Sequence, residues 1–118
     1  MDFEGNMYIF VSHSQNDIKE ARRIRDYLES RSFEPILFNL KCLTDSDDLS
    51  SLIKREIKTR KWFLYLDSRN ARNSSRVHDE VTYAEALNKK VFKVNLDAVW
   101  PIQKIALNRI MEKMRSEK

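Results

Sequence analysis

Four short apolar segments recur along the chain and predict β-strands that are covered on both faces. They are Met7–Ser12, Phe33–Phe38, Trp62–Leu66 and Val91–Leu96. Pro35 removes a backbone donor from the second segment, and Lys93 places a charge in the fourth. We therefore expect these two strands to lie towards the edges of a sheet.

Between the strands, apolar residues recur at intervals of three and four, which predicts amphipathic helices. Their inward residues are Ile18, Ala21, Ile24 and Leu28 in the first helix, then Leu49, Leu52, Ile53 and Ile57 in the second, and Ile102, Ala106, Ile110 and Met114, widened by Leu107 and Met111, in the last. Alternating strands and helices predict an α/β fold with a parallel sheet between two helical layers. We expect a flavodoxin-like three-layer sandwich with strand order 2-1-3-4, of four strands with a fifth left open.

The segment Ser74–Lys90 predicts a further helix, capped by Ser74 or Ser75. Glu80 falls inside its apolar stripe, which is formed by Val77, Val81, Ala84 and Leu87. A carboxylate on an inward face is costly unless it is hydrogen-bonded or lines a cavity. The alternative is that Glu80 lies at the edge of the stripe and reaches solvent or caps the first turn. His78 and Asp79 are expected to point away.

The position of this helix favours a functional role for Glu80. In open parallel sheets, ligands bind beyond the carboxyl ends of the strands, where strand order reverses. Here that point lies between strands one and three, where Ser12–Asn16 leaves the first strand and the loop into the Glu80 helix leaves the third. The sequence therefore predicts that Glu80 lies at the mouth of a crevice.

Composition limits the class of protein. The 118 residues, 42% hydrophobic and 34% charged, predict one globular domain covering residues 1–118. No apolar run approaches membrane-spanning length, the N-terminus does not have the pattern of an export signal, and the lone Cys42 cannot form an internal disulfide. We expect a cytoplasmic protein with no membrane partner. The net charge of +4 is spread among acidic residues, so no nucleic-acid partner is predicted.

Several chemistries are excluded by missing residues. Gly5 is the only glycine, so the glycine-rich turns of dinucleotide folds, P-loops and nucleophile elbows are absent. His13 and His78 have no companions at metal-ligand spacing, and no metal site is predicted. A phosphorelay receiver would use Asp67, but the first strand ends without the acidic pair that magnesium needs.

One carboxylate beside a crevice remains. Ordinary glycosidases need two, because the leaving oxygen must be protonated. The nicotinamide of NAD⁺ leaves its ribose as a neutral pyridine without a general acid, so a single carboxylate that stabilises the oxocarbenium charge suffices. The residues allow this reaction without selecting it.

Four spaced motifs together resemble the Toll/interleukin-1 receptor (TIR) domain of the compact bacterial kind. They are the first strand Tyr8–Ser14 with Asp17 opening the helix, the second strand with its polar loop Asn39–Ser46, the third strand Trp62–Ser68 ending in Asp-Ser, and Ser75–Glu80 with Ala84 four residues on. The similarity covers about Met7 to Pro101.

The resemblance implies a function and a site. Enzymatic members cleave NAD⁺ to nicotinamide and ADP-ribose, or to a cyclised product, once the domains self-associate. Glu80 would be the catalytic carboxylate, NAD⁺ the substrate rather than a cofactor, and other TIR domains and a fused or separate sensor the partners. The substrate-binding residues would be Ser12, His13, Ser14, Asn39, Lys41, Leu49, Arg76 and Tyr83.

Two departures from the family pattern keep alternatives open. Arg76 stands where a tryptophan commonly lies four residues before the glutamate, and the chain after the fourth strand is short for a fifth. The leading hypothesis is an NAD⁺ glycohydrolase that acts as the effector of an antiphage or cell-suicide system. A non-catalytic module for TIR–TIR assembly and a synthase of a cyclic signal are the alternatives.

Overall fold

The computed structural model describes residues 7–38 and 46–117. The strands are β1 (Tyr8–Ser12), β2 (Glu34–Ile36), β3 (Trp62–Asp67) and β4 (Val91–Asn95). The helices are α1 (Ile18–Ser30), α2 (Ser46–Thr59), α3 (Arg69–Arg72), α4 (Ser75–Ala86) and α5 (Trp100–Ser116), with a 3₁₀ turn at Gln15–Asp17. Within these residues, no helix combines the length and the apolar character needed to cross a membrane.

The sheet is parallel throughout, with the order β2-β1-β3-β4. This confirms the predicted topology and the edge positions of β2 and β4. β1, β3 and β4 begin and end within one residue of the predicted bounds. Ser12 at the end of β1 lies beside Tyr65 in β3, so the carboxyl ends of the two central strands meet at one edge of the sheet.

β2 is shorter than the predicted strand Phe33–Phe38, because it pairs with β1 over only three residues. Phe33 belongs to the end of α1 instead: its backbone N–H donates to the carbonyl of Leu28 (3.1 Å), and Ser32 before it takes a left-handed conformation with φ of 71°. That hydrogen bond closes the helix, so the pairing with β1 starts only at Glu34 and includes Pro35, which has no backbone N–H to donate.

The helices form a layer on each face of the sheet, as predicted. One apolar core joins the sheet to α1 and α5, and a second joins it to α2 and α4. Four residues predicted to face inward on α5 are buried, namely Leu107, Ile110, Met111 and Met114, but in the first turn Ile102 is 53% exposed and Gln103 is buried in its place. The Gln103 amide donates to the carbonyls of Leu96 (3.3 Å) and Ala98 (2.7 Å). These bonds satisfy two carbonyls of the turn after β4 and account for the burial of Gln103 in the first turn of the helix.

Candidate functional site

Two capped helices carry the chain from β3 to the site. Ser68 accepts a hydrogen bond from the N–H of Ala71 (2.9 Å) and starts α3, which the sequence did not predict. Ser74 accepts one from the N–H of Val77 (3.2 Å) and starts α4, as predicted. α4 ends at Ala86, four residues before the predicted end, and the chain then turns through Asn88, whose φ is 61°. The early stop is the usual effect of an asparagine in the left-handed region.

Glu80 is buried in the first half of α4, with 4% of its surface exposed. Its Oε1 accepts a hydrogen bond from the hydroxyl of Ser12 (2.6 Å), at the end of β1. Its Oε2 accepts one from Nη1 of Arg76 (2.5 Å), one helical turn earlier. The carboxylate therefore faces inward, as its place in the helical stripe predicts, and it neither reaches bulk solvent nor caps the helix.

The surroundings of Glu80 act on its ionisation in opposite directions. Burial raises the pKa of the carboxyl above its ordinary value, because the charged form is poorly solvated. The positive charge of Arg76 and the hydrogen bonds from Ser12 and Arg76 lower that pKa, and the neighbouring Asp79 raises it slightly. Burial is the largest of these effects, so Glu80 holds its proton more strongly than an exposed glutamate.

A cavity of about 320 Å³ opens between α2 and α4 beside Glu80. It is lined by Leu49, Ser50, Ile53, Lys54, Ile57, Arg76, Asp79, Glu80 and Tyr83. The predicted Leu49, Arg76 and Tyr83 are therefore brought together with Glu80. Asp79, which was expected to point away, lies at the cavity, and the remaining lining residues on α2 were not predicted. Their spacing of three and four along one helix was the signal that could have found them.

The end of β1 and the residues that follow it contact Glu80 and Arg76. Ser12, His13 and Ser14 are all buried, but none is among the described residues that line the cavity. His13 donates from Nδ1 to the carbonyl of Ser14 (2.9 Å), and burial lowers the pKa of its ring. The Ser14 hydroxyl accepts from the N–H of Asn16 (3.2 Å). Ser12 contacts the carboxylate itself, whereas His13 reaches the site through its carbonyl, which accepts from Nη2 of Arg76 (2.9 Å).

Of the predicted loop Asn39–Ser46, the structure describes Ser46. Asn39 and Lys41 lie outside the described residues. At the other end of this loop, α2 begins at Ser46 and carries Leu49 into the cavity lining.

A second buried carboxylate, that of Asp17, lies at the same edge of the sheet. Its side chain makes no capping hydrogen bond to α1, although Asp17 precedes the first residue of that helix. It accepts hydrogen bonds from the hydroxyl of Ser68 and from Nδ2 of Asn70 (2.8 Å). Both partners follow β3, the neighbour of β1 in the sheet, and that adjacency was the signal that could have revealed the contact.

Together, the fold and this site define a doubly wound α/β domain with a buried carboxylate where strand order reverses. The chain is similar to the CMP N-glycosidase of Clostridium botulinum, with a TM-score of 0.56 and 21% identity over 81% of this chain and 77% of the other. It is also similar to the 2-deoxyribosyltransferase of Leishmania mexicana, with a TM-score of 0.59 and 15% identity over 75% of this chain and 63% of the other. At these identities the likeness is one of fold.

The family follows from the sequence itself. The family model of the TIR domain matches residues 9–115, and the chain belongs to that family. A search of curated proteins finds no match.

Proposed function

We propose that this TIR domain is an NAD⁺ glycohydrolase that cleaves the bond between nicotinamide and ribose, with Glu80 as its catalytic carboxylate. One observation carries the proposal: Glu80 is buried, hydrogen-bonded and adjacent to a cavity of about 320 Å³. That volume is at the lower end of the range for ligand pockets and suits one end of a dinucleotide. Burying a carboxylate is costly, and Glu80, unlike the buried Asp17, lies beside a cavity in which its charge could act on a ligand.

The chemistry requires little of the protein beyond this carboxylate. Nicotinamide leaves NAD⁺ as a neutral ring, so no proton must be supplied to it. The ionised Glu80 holds the ribose hydroxyls and stabilises the positive charge that develops on the sugar. Tyr83 and the apolar residues of α2 give the departing ring a surface with little water. Water completes hydrolysis, and closure by a second atom of the substrate gives a cyclic product instead.

The biological role that we propose is that of an effector in a bacterial immune or cell-suicide system, switched on by self-association with other TIR domains. Membership of the TIR family supports this role. In such a system, loss of NAD⁺ stops the growth of an infected cell. Weak turnover by the dispersed domain and strong turnover by the clustered domain are the expected behaviour.

The test is nicotinamide release from NAD⁺ by the protein, both dispersed and clustered on beads, with chromatography of the second product. Glu80→Gln keeps the size of the side chain and should lower the rate at least about a hundredfold, which corresponds to about 2.7 kcal/mol of lost transition-state stabilisation. Glu85→Gln is the matched control, because Glu85 is exposed on the same helix. Clustered protein that self-associates without releasing nicotinamide would instead identify a non-catalytic assembly module.

A second candidate, hydrolysis of a nucleotide with an uncharged base, is favoured by the charge of Arg76. A guanidinium at the cavity disfavours the cationic nicotinamide ring, and it can donate hydrogen bonds to the oxygen of a departing pyrimidine or pair with a phosphate. One structure with a similar fold is a CMP N-glycosidase. CMP incubated in parallel with NAD⁺ separates the two, since release of cytosine without nicotinamide selects the second candidate.

A further inference from the structure

We infer that Arg76 is the positioning residue of Glu80: it keeps the buried carboxylate ionised and fixes it between β1 and α4. The inference concerns the mechanism of the proposed N-glycoside cleavage and rests on that function. It assigns a role to the residue that replaces the tryptophan expected from the resemblance.

The guanidinium of Arg76 links the Glu80 carboxylate to the backbone at the end of β1. Its Nη1 donates to Oε2 of Glu80 (2.5 Å), and its Nη2 donates to the carbonyl of His13 (2.9 Å). The planar guanidinium is therefore held at two points, one on its own helix and one at the exit of β1. Two donors in a fixed fork define a direction as well as a charge, which a lysine ammonium cannot do.

The two members of the pair differ in their access to water. The side chain of Arg76 is 27% exposed, and that of Glu80 is 4% exposed. The cation thus remains partly solvated while the carboxylate does not, so the carboxylate depends on the cation for its charged state. Ser12 adds a hydrogen bond to the other oxygen but no charge.

The remaining charged groups around Glu80 do not replace Arg76. On α4, Asp79 is negative and disfavours a second negative charge beside it, and Tyr83 lines the same cavity. At the end of β1, burial lowers the pKa of His13 and favours its neutral form. From α2, Lys54 lines the cavity with its Nζ 5.8 Å from the centre of the Tyr83 ring. Among the described residues, Arg76 is the cation in contact with Glu80.

The functional consequence is a pH dependence. A protonated carboxyl does not stabilise a positively charged sugar, so activity requires the ionised form of Glu80. Without Arg76, burial and Asp79 both raise the pKa of this carboxyl, and more enzyme is inactive at any pH below neutrality. The loss should therefore be greatest in acid and should shrink as the pH rises.

The experiment compares Arg76→Gln, Arg76→Lys and the control Arg72→Gln, which removes an exposed guanidinium outside the cavity. Arg76→Gln should move the acid limb of the pH profile of kcat/KM upward, with a loss of at least about tenfold at pH 6 that shrinks by pH 8.5. Arg76→Lys should fall between Arg76→Gln and the wild type, and the control should follow the wild type. In parallel, the Glu80 carboxyl is titrated by ¹³C NMR, which needs no turnover, and its midpoint should move upward in Arg76→Gln.

An unchanged NMR midpoint in folded Arg76→Gln overturns the inference, as does a loss of activity that is uniform across pH. If Arg76→Gln does not fold, Arg76→Lys decides in its place, because its midpoint should also rise, by a smaller amount. If the wild type is inactive on every nucleotide while the midpoint still rises, the proposed catalysis fails and the electrostatic role of Arg76 stands.

Discussion

Removing either member of the Arg76–Glu80 pair should have very different effects on the free energy of unfolding. In Arg76→Gln, the buried carboxylate keeps only the hydrogen bond from Ser12 and loses its counter-charge. In Glu80→Gln, the arginine keeps its bond to the carbonyl of His13 and is partly open to water. Arg76→Gln therefore leaves a buried carboxylate without its counter-charge, whereas Glu80→Gln leaves a partly solvent-exposed guanidinium without its counter-charge.

The expected magnitudes follow from that difference. Stranding a buried charge costs about 3 kcal/mol, so Arg76→Gln should lower the free energy of unfolding at pH 7.5 by about that amount. Glu80→Gln removes the desolvated charge and keeps the volume, so its stability should lie within about 1 kcal/mol of the wild type. The double variant should be more stable than Arg76→Gln alone, because the charge that was stranded is gone.

Urea denaturation of the wild type, the two single variants and the double variant measures this cycle. The cost of Arg76→Gln should also shrink as the pH falls. The pKa of the Glu80 carboxyl is raised in the folded state, so protonation of this group favours folding. The stabilisation that protonation provides is fully present below the pKa of the unfolded chain and is lost as the pH rises through the pKa of the folded protein. Equal costs for the two single variants, or a double variant weaker than Arg76→Gln, would refute the reasoning.

Two further predictions concern the neighbouring polar groups. Burial lowers the pKa of His13, so the stability that depends on its neutral form is present above the ordinary value of 6.5 and is lost as the pH falls. In urea denaturation, the free energy of unfolding of the wild type minus that of His13→Gln should therefore shrink from pH 7.5 to pH 5.5. A difference that stays constant over this range would contradict the prediction. Ser68→Ala removes both the cap of α3 and a partner of the buried Asp17, so thermal unfolding should show a cost of about 2–3 kcal/mol, against about 1 kcal/mol for Ser74→Ala, which removes a cap alone.

The parts of the fold that were predictable are those set by local periodicity. Apolar runs of five or six residues located β1, β3 and β4, and alternation with helices then allowed few topologies. α5 shows the limit of this reasoning. Most of its predicted inward face is buried, but in the first turn the buried residue is Gln103 and not Ile102. The burial of Gln103 depends on where the carbonyls of Leu96 and Ala98 lie. A tertiary hydrogen bond of this kind leaves no periodic trace in the sequence.

The candidate site divides in the same way. The burial of Glu80 was predictable because it follows from helical phase and from the position of α4 after β3. The pairing of Arg76 with Glu80 has the spacing of an ordinary surface ion pair, so the sequence offered no reason to expect a buried partner. The contact of Asp17 with Ser68 joins residues that are 51 positions apart. The predicted adjacency of β1 and β3 brings the segments that follow them to one edge of the sheet, but it does not identify which residues of those segments pair.

Two carboxylates are buried among the described residues, and their surroundings explain why one of them, rather than the pair, carries the proposed chemistry. Asp17 and Glu80 both lie at the carboxyl edge of the central strands, an arrangement that could suggest a two-carboxylate glycosidase. Asp17, however, is held by Ser68 and Asn70, and it is not among the described residues that line the cavity. Its hydrogen bonds join the segment after β1 to the segment after β3, which is a structural task. Of these two carboxylates, Glu80 is the one with a cavity beside it and a cation in contact with it, so the proposed cleavage of NAD⁺, whose leaving group needs no proton, requires no second carboxylate.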